Sequence, residues 1–332
     1  MRPFVTLLLL LAFGSAQAAL NTESLPAGAV GIVGFDVTAF RATKVGQTIE
    51  KFAELKAKNL EASRKLNEKL GIDSAKDLTE VVIGIYPGVD GKVAEKNALG
   101  VVLLRGKFQP AAIDGFGTKN SLPSKTFGNR QAWEAGPFIE KLSGEKPKDK
   151  AQGAYLVAHS PGLIVIASEE FLGRALDAAD RHEKTSLLPA GVARKFEAVQ
   201  NGWLFLYADL TKMKNTKEEV GAENLALALG ENVADLNLAA AADFVSPEKA
   251  DATLKLLKGL QAAAMIGLMN DAGKSPEEKE NMALLSELVQ RVRVGGESRT
   301  ITLDLDFPAD KAVKAILKAI EKSQQAPAAP VK

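Results

Sequence analysis

Hydrophobic and polar residues alternate along several short segments of the chain, and this pattern predicts half-buried antiparallel strands. The clearest segment is 301–307, which reads Ile-Thr-Leu-Asp-Leu-Asp-Phe. Turn-forming Gly, Asn, Asp and Pro residues separate neighbouring segments, so the strands are expected to pair as β-hairpins. The predicted hairpins join 81–86 to 99–107, 155–159 to 163–167, 225–229 to 236–244, and 291–294 to 301–307.

The segments between these hairpins repeat apolar residues with the 3.6-residue period of an α-helix. One amphipathic helix is expected from about Thr48 to Leu70, because its apolar residues fall on one side and Gly71 follows as a terminator. A long helix is expected to begin at Pro247 with Ser246 as its N-cap. Others are predicted at 168–180, 276–290 and 308–322. Hairpins joined to helices indicate an α+β fold with antiparallel sheet and helices packed on one face.

Two parts of the chain open with the same pattern. An apolar strand is followed by Asp, an aliphatic residue and Thr, at Asp36 and again at Asp209. Each part continues with a hairpin, a helix, a second hairpin and a final helix. This order predicts two tandem related α+β units, 19–186 and 203–322, joined by a linker at 187–202. The final segment, 323–332, is rich in Pro and Ala and is predicted to be disordered.

The first 18 residues have the three regions of a secretory signal peptide. Arg2 supplies a positive start, Phe4–Phe13 is an apolar run, and Ala16-Gln17-Ala18 is an A-x-A cleavage site. Cleavage is expected before Ala19. The apolar run is shorter than the ~20 residues that a membrane-spanning helix needs. The sequence therefore predicts an exported protein, periplasmic or extracellular, without an integral membrane span after cleavage.

Charge and cysteine content exclude several classes of protein. The 332 residues include 42 Lys and Arg against 41 Asp and Glu, a formal net charge of +1. A nucleic-acid partner is not expected, because no excess of positive charge is present to neutralise phosphates. The absence of cysteine excludes disulfides, cysteine-ligated metals and a thiol nucleophile.

Candidate catalytic residues are few and poorly supported by their context. Ser143 and Lys146 fit an S-x-x-K spacing, but they lie in a loop rich in Gly, Pro and Lys. His159 lies beside a turn and could act as a general base, although a structural role is favoured because no nucleophile accompanies it. His159 and His182 lack the spacing of metal ligands. We therefore expect no catalytic residue, no cofactor and no metal site.

Carboxylates offer a second set of candidates. Asp36 and Asp209 are interpreted as local caps of the turns that follow their strands. The alternative is that they meet at a pseudo-symmetric interface, where they would bind a cation or act as acid and base. Asp304 and Asp306 are expected to form cross-strand ion pairs with Arg291 and Arg293.

Aromatic and apolar residues allow two further predictions. Trp203 is expected to pack in the core, and Trp133 in the core or at its rim, with a contact surface as the alternative for Trp133. The segment Leu254–Met269 is strongly apolar and is predicted to form a buried helix. Alternatively, its Met265 and Met269 would line a flexible pocket for an apolar ligand.

Several short motifs give the chain a resemblance to a class of uncharacterised bacterial exported proteins that carry signal peptides. The resemblance covers about Gly28–Asp180 and extends more faintly into the second half. It implies a duplicated α+β layout and an exported, non-catalytic protein, and it implies no catalytic residue. The motifs are Phe35-Asp36-Val37, Val45-Gly46-Gln47, Leu70-Gly71-Ile72-Asp73 with Asp77-Leu78, and Leu104-Arg105-Gly106-Lys107-Phe108.

Together these observations favour an exported, soluble, non-catalytic binding or structural protein whose partner is another protein or a small apolar ligand. A carrier of an apolar or lipid-like ligand is the first alternative. A hydrolase that uses carboxylates is the second.

Overall fold

The computed structural model describes residues 22, 24–54, 57–87, 99–143, 153–181, 202–212, 221–232, 234–268 and 275–325. The predicted signal peptide, 1–18, lies outside the described residues. So does the predicted linker, 187–202, apart from Gly202. The C-terminal segment 326–332 lies outside them as well, but 323–325 continue the last helix.

The first half of the chain alternates strands with short helices. Its strands are β1 (Gly31–Asp36), β2 (Leu78–Tyr86), β3 (Leu99–Gly106), β4 (Ser124–Phe127), β5 (Arg130–Glu134), β6 (Ala154–Ser160) and β7 (Leu163–Ser168). Its helices are α1 (Val37–Ala42), α2 (Lys44–Glu54), α3 (Ala57–Leu70), α4 (Ser74–Asp77), α5 (Pro110–Lys119), α6 (Ala135–Ser143) and α7 (Glu169–Arg181).

The second half has longer elements. Its strands are β8 (Gly202–Asp209), β9 (Ala222–Glu231), β10 (Asp235–Phe244), β11 (Arg293–Glu297) and β12 (Thr300–Pro308). Its helices are α8 (Pro247–Leu268), α9 (Pro276–Arg291) and α10 (Ala309–Gln325), and a single 3₁₀ turn, Leu210–Lys212, follows β8.

All of these strands form one antiparallel sheet. Its order is β11-β12-β10-β9-β8-β1-β2-β3-β7-β6-β5-β4. The α+β class with antiparallel sheet is therefore confirmed. The predicted hairpins form, with Val82 opposite Leu103 and Leu238 opposite Leu229, for example. The sheet continues without a break from one predicted unit into the other, because β1 pairs with β8.

The β1–β8 pair lies at the centre of the sheet, between two parts with corresponding strand orders. On one side the order is β1-β2-β3-β7-β6, and on the other it is β8-β9-β10-β12-β11. The hairpin β4–β5 adds two strands at the edge of the first side. Val33 lies opposite Leu206 in the middle of the central pair.

In the first half, helices cover both faces of the sheet, which differs from the predicted single face. We call the face that carries α7 face A and the opposite face, with α5 and α6, face B. Val82 of β2 packs on face A with Leu172 of α7. Its neighbour Val81 packs on face B with Ile113 of α5. Strands with apolar residues at consecutive positions bury both of their sides, so both faces need cover.

In the second half, helices α8 and α10 pack on face B, as the prediction of one covered face requires. Leu254 of α8 belongs to a cluster with Ala242 and Ile301, and Val313 of α10 belongs to a cluster with Leu229. Face A of this half carries a small cluster in which Phe205 and Tyr207 pack with alanines such as Ala226.

Three helix predictions are corrected. The helix predicted from Thr48 to Leu70 begins earlier, at Lys44, and is assigned as α2 and α3, with 55–56 outside the described residues. It ends as predicted at Gly71, whose φ of 66° is readily adopted by glycine. Ser143, which was predicted to lie in a loop, is the last residue of helix α6. Pro308 ends β12 instead of starting α10.

Candidate functional site

Asp36 and Asp209 cap local backbone, as the favoured interpretation predicts. An Oδ1 atom of Asp36 accepts a hydrogen bond from Ala39 N at 2.8 Å at the start of α1. Asp209 Oδ1 accepts from Thr211 N at 3.1 Å and from Thr211 Oγ1 at 2.5 Å. The alternative of a shared carboxylate site is wrong. The β1–β8 register places the two residues at opposite ends of the strand pair, about 20 Å apart at ~3.3 Å per residue.

His159 belongs to a charged cluster at the end of α7. Its Nε2 lies 3.0 Å from Asp180 Oδ1, and Arg130 binds the same carboxylate through Nη2 at 2.7 Å and Nη1 at 3.1 Å. The imidazole is about nine-tenths buried, and its Nδ1 has no hydrogen-bond partner. No hydroxyl among the described residues is therefore placed to exchange a proton with Nδ1, and the structural interpretation of His159 is favoured.

Asp180 is expected to stabilise the fold only above its depressed pKa. Its hydrogen bonds with Arg130, and secondarily with His159, lower the pKa of this carboxyl. A folded pKa below the unfolded value of ~3.9 gives a contribution that is complete above about pH 4 and disappears as the pH falls through the folded pKa. Asp180→Asn should therefore lower the melting temperature at neutral pH, and thermal melts should converge with those of the parent in acid.

Asp177 provides the control for this experiment. It lies on the same helix, is more exposed than Asp180, and forms an i,i+4 ion pair with Arg181 at 3.8 Å. Asp177→Asn should therefore change the melting temperature little at any pH. A gap between Asp180→Asn and the parent that persists unchanged at low pH would contradict the assigned role of the carboxylate.

The other candidate residues that the structure describes form hydrogen bonds or ion pairs with neighbouring residues. Ser143 Oγ donates to the carbonyl of Ile139 at 2.8 Å, while Lys146 and His182 lie outside the described residues. Arg293 pairs with Asp306 at 2.6 Å, as predicted. Arg291 differs from its prediction, because it is the last residue of α9 and pairs with Glu287 at 3.1 Å.

Both tryptophans pack in the core. Trp203 is almost fully buried and its ring packs edge-on against Phe35 and Phe40. Trp133 is equally buried, and its Nε1 donates to Asp114 Oδ1 at 2.9 Å. The core interpretation of Trp133 is therefore confirmed, and the alternative of a contact surface is wrong.

Within the described part of the chain, no three His, Asp or Glu side chains converge in a group that could hold a metal ion. No helix among the same residues combines the length and the apolar character that crossing a bilayer requires.

Large exposed hydrophobic residues are confined to the second half of the described chain. These residues are Leu206, Leu225, Val245, Leu256, Leu260, Ile266 and Leu285. The described first half buries its large apolar residues more completely, in the clusters on faces A and B. Contiguous exposed apolar surface is typical of binding sites, so the second half contains the candidate binding surfaces of the described chain.

Part of this surface is an apolar floor on face B, which we define as Val33, Leu206, Leu225, Leu227 and Ala240. The register places Val33 opposite Leu206, Leu206 opposite Leu227, and Leu227 opposite Ala240. Directly opposite residues of an antiparallel pair project on the same face, so these side chains form a continuous row, with Leu225 two residues from Leu227. Leu206 is 36% exposed and Leu225 is 45% exposed.

Helices flank the floor without covering it. Toward one end of the strands, Leu254 of α8 packs in a cluster with Ala242, and toward the other, Val313 of α10 packs in a cluster with Leu229. None of the floor residues belongs to a hydrophobic cluster of the described residues. The floor therefore lies in an open apolar groove between two helix-covered regions. The sequence predicted its strands but gave no signal that helices would leave this row uncovered.

A second apolar surface lies on the outer side of α8, and it corrects the prediction that 254–269 is buried. Leu256, Leu260 and Ile266 are 61%, 57% and 72% exposed. Only the opposite side of the helix packs on the sheet and on α9, through residues such as Leu254 and Leu257. Met265 is partly buried, and Met269 lies outside the described residues.

A shallow cleft of about 420 Å³ lies between α9 and α10. Its apolar base is formed by Leu284 and Ala315, and its rim carries charges of both signs. Lys311 forms an ion pair with Glu287, and Lys318 pairs with Glu280 at 2.8 Å. Because these ion pairs join the two helices, the cleft is interpreted as an imperfect helix–helix contact and not as a ligand site.

No protein-family model matches the chain, and no curated protein matches it. Three crystal forms of the protein TP0453 are similar in structure. Form III has a TM-score of 0.46 at 10% identity, covering 91% of this chain and 98% of that one. Forms I and IV have TM-scores of 0.42 and 0.43 at 11% and 10% identity, each covering 91% of this chain and 97% of the other. With TM-scores below 0.5, these similarities give no argument about function.

Proposed function

We propose that this chain is an exported, non-catalytic protein that binds an apolar ligand of the fatty-acyl type on the floor of face B. The observation that carries the proposal is the row of partly exposed leucines between the sheet regions that α8 and α10 cover. Uncovered apolar side chains cost free energy in water, at roughly 25 cal/mol per Å². A ligand that covers them recovers that free energy.

The dimensions and chemistry of the floor support an elongated apolar ligand. The row continues from Val33 across four strand spacings to Leu303, which is about 19 Å at ~4.8 Å per spacing. None of the floor residues is charged or polar. A long acyl chain matches both the length and the apolar character of this row.

Export and duplication complete the proposal. Export is supported by Arg2, the apolar run Phe4–Phe13 and the A-x-A site at Ala16–Ala18. Duplication is supported by the corresponding strand orders on either side of β1–β8 and by the equivalent caps at Asp36 and Asp209. If two related units meet at β1–β8, the floor crosses their junction.

Palmitate binding to the secreted protein, measured by isothermal titration calorimetry, tests this proposal. The protein is purified after secretion from a bacterial host, and its N-terminal residue is expected to be Ala19. Palmitate should bind, and Leu206→Asn or Leu225→Asn should weaken binding about tenfold or more. A tenfold loss equals about 1.4 kcal/mol, within reach of one leucine, whose full burial is worth about 1.5–3 kcal/mol.

Leu260→Asn is the matched control, because Leu260 is also an exposed leucine but lies on the outer side of α8. It should bind palmitate like the parent protein. A secreted protein that binds no palmitate would refute the ligand, and an N-terminus upstream of Ala19 would refute the proposed cleavage. Equal losses in Leu260→Asn and Leu206→Asn would show that binding does not occur on the floor.

A further inference from the structure

The outer side of α8 is a second unpartnered apolar surface, distinct from the floor. Outer residues repeat at helical spacing over the second half of the helix and share one side of it, namely Leu256, Gly259, Leu260, Ala263, Ile266 and Gly267. No charged residue occurs from Gly259 to Leu268. A helix that is apolar all round is normally buried, so this composition does not match an exposed position.

We propose that the outer side of α8 binds the same surface of a second copy of this chain, in an antiparallel helix pair around a twofold axis near Ala263. Large residues at Leu256, Leu260 and Ile266 stand beside small ones on the same side. An isologous pair places the large residues of one copy against the small residues of the other. A Cβ at Gly259 or Gly267 would meet no atom within 4 Å, so this side is open to a second helix.

The distribution of charge favours a second copy over an anionic membrane surface. Lys258 and Lys255, which also pairs with Asp251 at 2.6 Å, lie near the start of the exposed stripe. The first turns of α9 carry Glu277, Glu278 and Glu280 against one lysine, Lys279, so they keep an acidic balance although Glu280 pairs with Lys318. Gln261 donates hydrogen bonds to the carbonyls of Val289 and Val292. Helices α8 and α9 are therefore antiparallel, and the acidic start of α9 lies beside the distal end of α8.

An antiparallel pair joins these opposite charges. It brings Lys255 and Lys258 of one copy toward the acidic start of α9 in the second copy. The same glutamates would be repelled by anionic lipid. With a formal net charge of +1, whole molecules repel one another only weakly.

A single introduced cysteine tests the geometry directly, because the natural chain has none. In the full chain, Ala263→Cys should form a disulfide-linked dimer under mild oxidation, since residue 263 lies near the twofold axis. Ala252→Cys, on the same helix, should remain uncrosslinked, because its two copies would be about 33 Å apart at ~1.5 Å per residue. Crosslinking of both variants would indicate a parallel pair and would overturn the proposed arrangement.

Sedimentation of the protein without introduced cysteine provides the second test. The parent should show a monomer–dimer equilibrium at micromolar to millimolar concentration, and Leu260→Glu/Ile266→Glu should raise the dimer dissociation constant by about a hundredfold, two tenfold steps. Leu206→Asn, on the floor, should leave this constant unchanged. A parent that remains monomeric throughout the range, with Ala263→Cys uncrosslinked, would overturn the proposal. Binding of that monomer to phosphatidylcholine vesicles would assign the surface to lipid instead.

Discussion

Replacing Glu80 with alanine is expected to lower the free energy of unfolding by about 3–5 kcal/mol. Glu80 of β2 lies opposite Arg105 of β3, and Glu80 Oε2 is 2.9 Å from Arg105 Nε. Both side chains are more than four-fifths buried. Removal of the carboxylate leaves a guanidinium in the interior without this counter-charge, and desolvation makes such a charge costly. Urea unfolding of the single variant measures the loss.

The double variant Glu80→Met/Arg105→Met separates an unpaired charge from a packing defect. Two unbranched apolar side chains of similar length remove both charges together, so much of the lost stability should return. The coupling between the two positions should amount to about 1–3 kcal/mol in the mutant cycle. A double variant no more stable than the sum of the two single losses would contradict the ion-pair interpretation.

Replacing Glu231 with alanine is expected to cost about 3 kcal/mol, because this residue caps a helix from the other half of the chain. Glu231 ends β9 and is almost fully buried. Its carboxylate accepts hydrogen bonds from Lys44 N at 2.6 Å and from Val45 N at 3.1 Å, at the start of α2. The variant leaves two backbone donors at a helix start without these acceptors.

Glu223 is the matched control, since it is a second glutamate on the same strand. It is more exposed than Glu231 and pairs with Arg299 at 3.3 Å on the surface. Glu223→Ala should cost less than about 1 kcal/mol in the same urea experiment. Glu231→Gln should fall between the two, because the amide retains one acceptor oxygen. Equal small losses at both positions would contradict the capping role.

Local sequence patterns predicted the strands and hairpins but not the cover of the sheet. Alternation at 301–307 specifies β12 because one face of that strand is apolar and the other polar. In contrast, Val81, Val82 and Ile83 are consecutive apolar residues, the signal of a strand buried on both faces. That signal was present in the sequence, and its use would have predicted helices on both faces of the first half.

Long-range pairing was beyond the reach of the sequence patterns. The edge of β1 joins β8 because both strands have apolar residues on the same face, such as Val33 and Leu206. Many strands share that property, so local patterns do not select the partner. The same limit applies to α8. Its apolar character predicted burial on all sides. Whether its outer side is buried depends on which other elements pack against it, and local patterns do not give that information.

The functional candidates divide in the same way. The local caps at Asp36 and Asp209 were predictable because each involves residues within three positions in the sequence. The floor was not predictable, since it combines Val33 with residues of β8, β9 and β10, and since its exposure depends on where the described helices pack on the sheet. Capping box residues at Ser275 and Glu278 were likewise predictable in principle from their spacing.

The central pairing of β1 with β8 has a consequence for the order of folding. Phe35 pairs with Leu204, so the middle of the sheet closes a chain loop of about 170 residues. Contacts so distant in sequence form late and slowly, because the entropy of closing the loop must be overcome first. A nascent chain that has emerged only as far as α7 therefore exposes the unpaired edge of β1. Such an edge readily pairs with other chains, so a folding helper that shields β1 would have its greatest effect during this interval.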